Sequence, residues 1–117
     1  MIYRGLLASF LLLSFMRLHS QDAGQSSPQS AKGMEAFKNK NFRLAISEFR
    51  ELLDRYPKDP LYHYYLGASL VASNADISQG IELLRFVVSR NAVHEANYFL
   101  GLAYFRQYEF AKALQYY

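Results

Sequence analysis

The residue types that could carry chemistry in this 117-residue chain are few and scattered. His94 and Glu95 open like a zinc-protease helix, where two imidazoles one turn apart hold the metal and the glutamate activates water. Tyr98 stands where the second imidazole is required, and a lone imidazole cannot hold a metal. His63 has one carboxylate at helical spacing, Asp59, which its place before Pro60 explains as a helix cap. His63 is therefore expected to be a packed or surface histidine rather than a ligand. Ser69 lies in the run Gly67-Ala68-Ser69-Leu70-Val71, which lacks the last glycine of a nucleophile elbow and belongs to a helix. Asp54, Asp59 and Asp76 fall at helix ends or turns, where capping and solvation account for them. No glycine-rich phosphate loop occurs. The absence of cysteine excludes thiol catalysis, thiolate metal sites, disulfides and a lipidated N-terminal cysteine. These residues predict no catalytic, cofactor or metal site, and no enzyme.

Charge is equally uninformative about ligands. The net charge is +3, but Arg4 and Arg17 lie in the N-terminal segment 1–20, and the remainder carries 11 basic against 10 acidic side chains. That balance gives no electrostatic footprint for nucleic acid. The composition is 51% hydrophobic and 16% aromatic, enough for one small core.

The N-terminus reads as an export signal over residues 1–20. Arg4 supplies a basic n-region, Leu6 to Met16 form a largely apolar run, and Ser20 is a small residue at a possible cut. Spanning a bilayer takes about 20 apolar residues, well beyond the length of that run, so a cleaved signal is favoured over an inner-membrane anchor, which stays the alternative. Residues 21–30, mostly Gln, Ser, Gly and Pro, predict a flexible linker winding into a helix near Ser30.

The elements that remain are helical. Residues 31 to about 38 form a short helix, and Asn41 is the N-cap of the next. Phe42, Ala45, Ile46, Phe49, Leu52, Leu53 and Tyr56 make its amphipathic stripe, which Pro57 ends. Asp59 and Pro60 restart the chain as N-cap and first helical residue. The helix over 61–72 is apolar or aromatic on nearly every side, so it needs neighbours on more than one side. Helices over 77–89 and about 93–106 follow, and one starting at Phe110 reaches Tyr117 without a terminator. That end predicts a fragment cut in mid-helix, or else a surface for self-association.

These helices repeat. Gly33, Gly67 and Gly101 recur at one equal interval, and Phe42 with Phe110, Ala45 with Ala113 and Phe49 with Tyr117 keep the same phase two periods apart. Ile77, Gly80 and Leu84 hold the middle copy one residue late, which predicts a longer turn before them and a shorter one after. The pattern resembles the tetratricopeptide repeat, best in the third copy with Leu100, Gly101, Tyr104, Phe110 and Ala113. The second copy has Leu66, Gly67, Leu70, Ile77 and Gly80. The first has Gly33, Phe42, Ala45, Phe49 and Pro57, with Lys32 where Leu is usual.

The resemblance implies an all-α, right-handed α-solenoid of about three antiparallel helix pairs, the last incomplete, with repeats over about 31–59, 60–92 and 93–117. It implies a concave groove lined by the first helix of each pair. The groove positions are Met34, Phe37 and Lys38, then Leu61, Tyr64, Ala68 and Val71, then Glu95, Tyr98, Leu102, Phe105 and Arg106. Such a surface suits a peptide or protein segment with apolar anchors. A carboxylate clamp for chain ends is not expected, because its positions read Ser30, Met34, Ala68, Tyr98 and Leu102. The expected function is a non-enzymatic protein-interaction or scaffold module, exported to a bacterial periplasm or cell envelope. The alternative is a partner- or substrate-recruiting region of an enzyme whose catalytic domain lies beyond Tyr117. Neither nucleic acid nor metal is an expected partner.

Overall fold

The computed structural model describes residues 28–116. The expected signal over 1–20, most of the expected linker and Tyr117 lie outside them. A 3₁₀ turn, Pro28–Ser30, leads into α1 (Ala31–Lys38). Then come α2 (Phe42–Arg55), α3 (Pro60–Ala72), α4 (Ile77–Ser89), α5 (Ala96–Arg106) and α6 (Phe110–Leu114). No strand occurs among the described residues, and none of these helices is long and apolar enough to cross a membrane.

Side-chain caps set three of the six helix starts among the described residues. The Asp59 carboxylate accepts from the Leu61 N–H at 2.9 Å and the Tyr62 N–H at 3.4 Å, with Pro60 at the first helical position. Asp76 accepts from the Gln79 N–H at 3.0 Å, and the Asn41 side chain from the Leu44 N–H at 3.4 Å. The first, fifth and sixth helices have no side-chain cap. The fifth, expected from about Val93, begins at Ala96. Ala96, Asn97 and Tyr98 donate instead to the carbonyls three positions back, so Val93–Glu95 form turns.

The turns within the pairs share one design. Lys40, Asn74 and Tyr108, each one glycine period from the next, have φ of 59°, 57° and 62°. After each, the following N–H reaches back to the carbonyl five positions earlier: Asn41 to Ala36 (2.8 Å), Ala75 to Leu70 (3.0 Å) and Glu109 to Tyr104 (2.9 Å). This is the Schellman arrangement, which satisfies the orphan carbonyls of a helix end. The middle turn, 73–76, is one residue longer than 39–41 and 107–109, as the late phase of Ile77 predicts. The following connection is not shorter, however. It runs over residues 90–95 against 56–59 in the preceding repeat, because α5 starts late.

Successive helices pack against each other, and α1 meets α3 as α3 meets α5. The backbones of α2 and α4 do not meet; long side chains bridge them, with Arg50 donating to Gln79 Oε1 at 3.0 Å. The first helices of the pairs thus form an inner row and the second helices a more widely spaced outer one. Phe49, Leu70, Leu84 and Leu100 are fully buried between these layers. Burying one such side chain is worth about 1.5–3 kcal/mol. In α3, Tyr62 to Val71 are buried except for Tyr65, as its all-round apolar sequence requires.

Candidate functional site

The buried imidazole of His63 and hydroxyl of Ser69 have structural partners. The His63 imidazole is buried, and its Nδ1 lies 2.7 Å from the Asp59 carbonyl oxygen, which can only accept, so this nitrogen carries the proton. Its ring stacks on Phe86 at 3.9 Å, and the Arg90 guanidinium lies 3.4 Å from the same Phe86 ring centre. The buried Ser69 hydroxyl donates to the Tyr65 carbonyl at 2.6 Å. His94 and Glu95 are exposed on the turn before α5, and no group of three or more His, Cys, Asp or Glu among the described residues could hold a metal.

What the fold does build is an aromatic floor across α1, α3 and α5. The Phe37 ring lies 6.2 Å from Tyr64, 5.2 Å from Tyr65 and 6.1 Å from Phe99, mostly edge to face. Tyr64 in turn lies 6.0 Å from Phe99, and Tyr98 5.1 Å from Phe99. Edge-to-face pairs are worth about 0.5–1.5 kcal/mol each beyond burial, so this cluster ties three consecutive inner helices together.

Two hollows flank Phe37 and Lys38, which line both. The first, of about 670 Å³, is walled by Met34, Leu61, Tyr64, Tyr65 and Val93, with Glu35 and Glu95 on its polar side. The second, of about 530 Å³, is walled by Phe42, Tyr98, Phe99 and Leu102, with Lys40 and Arg106 joining Lys38. The Tyr64 phenol is pushed up to about 12, first by burial and then by the Glu95 carboxylate and Tyr65. Tyr65 is raised for the first two of these reasons. Both are therefore neutral hydrogen-bonding groups at physiological pH.

Of the residues expected in the groove, Met34, Phe37, Lys38, Leu61, Tyr64 and Glu95 line the first hollow. Tyr98, Leu102 and Arg106 join Phe37 and Lys38 in the second. Three expectations need correction. Ala68 and Val71 have no exposed surface, because α3 is covered on both sides and these positions face the packing between layers. Phe105 is exposed, but its ring packs against Phe110 at 5.4 Å and it lines neither hollow. Two lining residues, Tyr65 and Phe99, escape the sequence reading. They stand one glycine period apart, and that shared phase of two aromatics on inner helices is the signal that could find them.

Antiparallel helix pairs stacked in one row, with an aromatic hollow on the inner row and no catalytic constellation among the described residues, define an α-solenoid of the protein-interaction class. The tetratricopeptide repeat model matches residues 30–76 and 68–117, and the chain belongs to that family. Repeats of this family generally mediate protein–protein interaction or scaffolding, and are typically non-catalytic. Neither the curated proteins nor the solved structures give a match, so no relative supplies a ligand.

Proposed function

We propose that the chain is a binding module that seats a peptide or protein segment along the groove formed by the two hollows, in an exported protein of a bacterial periplasm or envelope. The observation that carries the reading is the partly exposed aromatic and aliphatic wall at Tyr98, Phe99 and Leu102, beside hollows large enough for side-chain anchors. Tyr98 is 55% exposed although it sits on an inner helix, and exposed aromatics of this kind concentrate binding energy. Leu102→Glu would place a charge in the wall. It is expected to abolish the binding of peptides selected on the wild-type chain, measured by fluorescence anisotropy, while Arg85→Glu on the exposed side of α4 leaves it intact. Equal binding by both variants would sink the groove reading. Export rests on the N-terminal pattern of Arg4 followed by Leu6 to Met16. Its test is the N-terminal sequence of the protein recovered from the periplasmic fraction, expected to begin near Gln21.

The exposed side chains Phe105, Tyr108, Phe110 and Leu114 support a second contact, self-association through α6. Sedimentation velocity of the wild type against Leu114→Lys tests it, and a monomer in both at high concentration would exclude it.

A further inference from the structure

We propose that the segment seated in the groove is acidic where it crosses Lys38, Lys40 and Arg106, its Asp or Glu side chains standing next to an apolar or aromatic anchor held against Phe99 and Leu102. The inference rests on the groove reading above and adds the chemistry of the occupant. The second hollow is lined by three cations and no carboxylate, whereas the adjoining hollow carries Glu35 and Glu95 against Lys38 alone. The groove is therefore charge-polarised along its length, in a chain whose overall charge beyond residue 20 nearly cancels.

The cations are also available. Lys32, Arg55 and Lys112 are each paired with a glutamate, but neither Lys38 nor Lys40 has a carboxylate in salt-bridge range among the described residues. Arg106 directs one nitrogen, Nη1, at the Val71 and Ala72 carbonyls, and a guanidinium has further donors. Compensation of helix dipoles accounts for a cation in the last turn of α1 and of α5. It does not account for Lys40, which lies outside both helices at φ 59°, a backbone that favours Asn or Gly. All three cations are exposed at the rim, so they suit side-chain carboxylates of a segment passing over them rather than a chain end buried in a socket.

The test is selection of a random dodecapeptide phage library on the full chain, followed by anisotropy with the enriched sequence as an amidated peptide and with its Gln-for-Glu isostere. Enriched sequences are expected to place Asp or Glu beside an aromatic or aliphatic residue. The acidic peptide should bind about tenfold tighter than the isostere at low salt, with the gap closing as salt screens it. Lys38→Gln with Lys40→Asn, the latter suited to the left-handed backbone, should bring the ratio of acidic-peptide to isostere affinity from about tenfold to near one. Enrichment of neutral or basic sequences that Leu102→Glu abolishes would overturn the acidic assignment and leave the groove reading standing. An amidated peptide that loses all affinity until its free C-terminal carboxylate is restored would also overturn it. Enrichment that Leu102→Glu does not affect, or no enrichment at all, would overturn both.

Discussion

Gly67 on α3 and Gly80 on α4 oppose each other so closely that a methyl group on either would lie 3.2 Å from the other's carbonyl oxygen. A Cβ on Gly80 would also come within 2.6 Å of Val71 Cγ2, and one on Gly67 within 2.9 Å of Leu84 Cγ. Val71 and Leu84 are both fully buried, so neither can swing aside into solvent. Alanine in a helix interior is favoured over glycine by about 0.8–1.0 kcal/mol, and overpacking a core costs about 1–3 kcal/mol. The close approach wins. Gly67→Ala and Gly80→Ala are each expected to lower stability by up to about 2 kcal/mol net in urea unfolding, and a gain in either would show that α3 and α4 can separate freely.

The left-handed positions Lys40, Asn74 and Tyr108 differ in how well their side chains suit that backbone. Asn tolerates it, whereas a side chain such as Tyr pays about 1 kcal/mol. Tyr108 is 81% exposed and its ring touches Phe110 only edge-on at 6.2 Å, so little packing offsets that cost. Tyr108→Gly should therefore stabilise the chain by about 0.5 kcal/mol despite the added freedom of the unfolded state. Asn74→Val, which puts a β-branched residue at φ 57°, should destabilise it by about 1–2 kcal/mol. Thermal unfolding of the pair reads both signs, and a common sign would refute the account.

Alkaline pH provides a separate probe of the groove. The Tyr64 phenol titrates near 12 in the folded chain against 10.0 for a free tyrosine, chiefly through burial and then through Glu95. Below pH 10 the phenol is neutral in both states and stability is unaffected. Between 10 and 12 the unfolded chain releases the proton first, so stability falls as pH rises through this window. The tyrosinate absorbance difference between wild type and Tyr64→Phe should show one late-titrating phenol. Glu95→Gln should move it to lower pH by removing a repelling charge. A phenol that titrates near 10 in the wild type would contradict the burial described for the first hollow.

Much of this architecture is legible in the sequence because it is set by strong local signals. The glycine period, the Asp59-Pro60 start and the extra residue before Ile77 each leave a pattern that survives into the structure. The start of α5 does not, since Val93, His94 and Glu95 are ordinary helix residues whose turn comes from backbone bonds alone. Nor does the fate of Ala68 and Val71, which share a repeat position with Met34 and Phe37 but lie in the copy that has neighbours on both sides. Position within a repeat fixes which way a residue points; position within the array fixes whether anything covers it. Phe105, in phase with Phe37, meets Phe110 as Phe37 meets Phe42, but among the described residues only Phe37 also meets the aromatics of the groove floor.

Arg106 shows how one side chain can serve both the stacking and the groove. Its Nη1 donates to the Val71 carbonyl and lies 3.5 Å from that of Ala72, the residue one period earlier, so the end of α5 caps the end of α3. A hydrogen bond from a charged donor contributes about 1.5–3 kcal/mol, reduced here because the guanidinium is exposed. Arg106→Gln is expected to cost about 1 kcal/mol in global stability. The loss should be felt first where the cap sits. The N–H groups of Asn74 and Ala75, which bond to the Val71 and Leu70 carbonyls, should exchange with solvent faster, while that of Asn41 in the first turn stays unchanged. Uniform acceleration at all three would mean that the arginine acts through overall stability rather than as a cap. Arg106→Lys keeps the charge but loses the planar fork, so it should restore the groove's electrostatics more fully than the protection of Asn74.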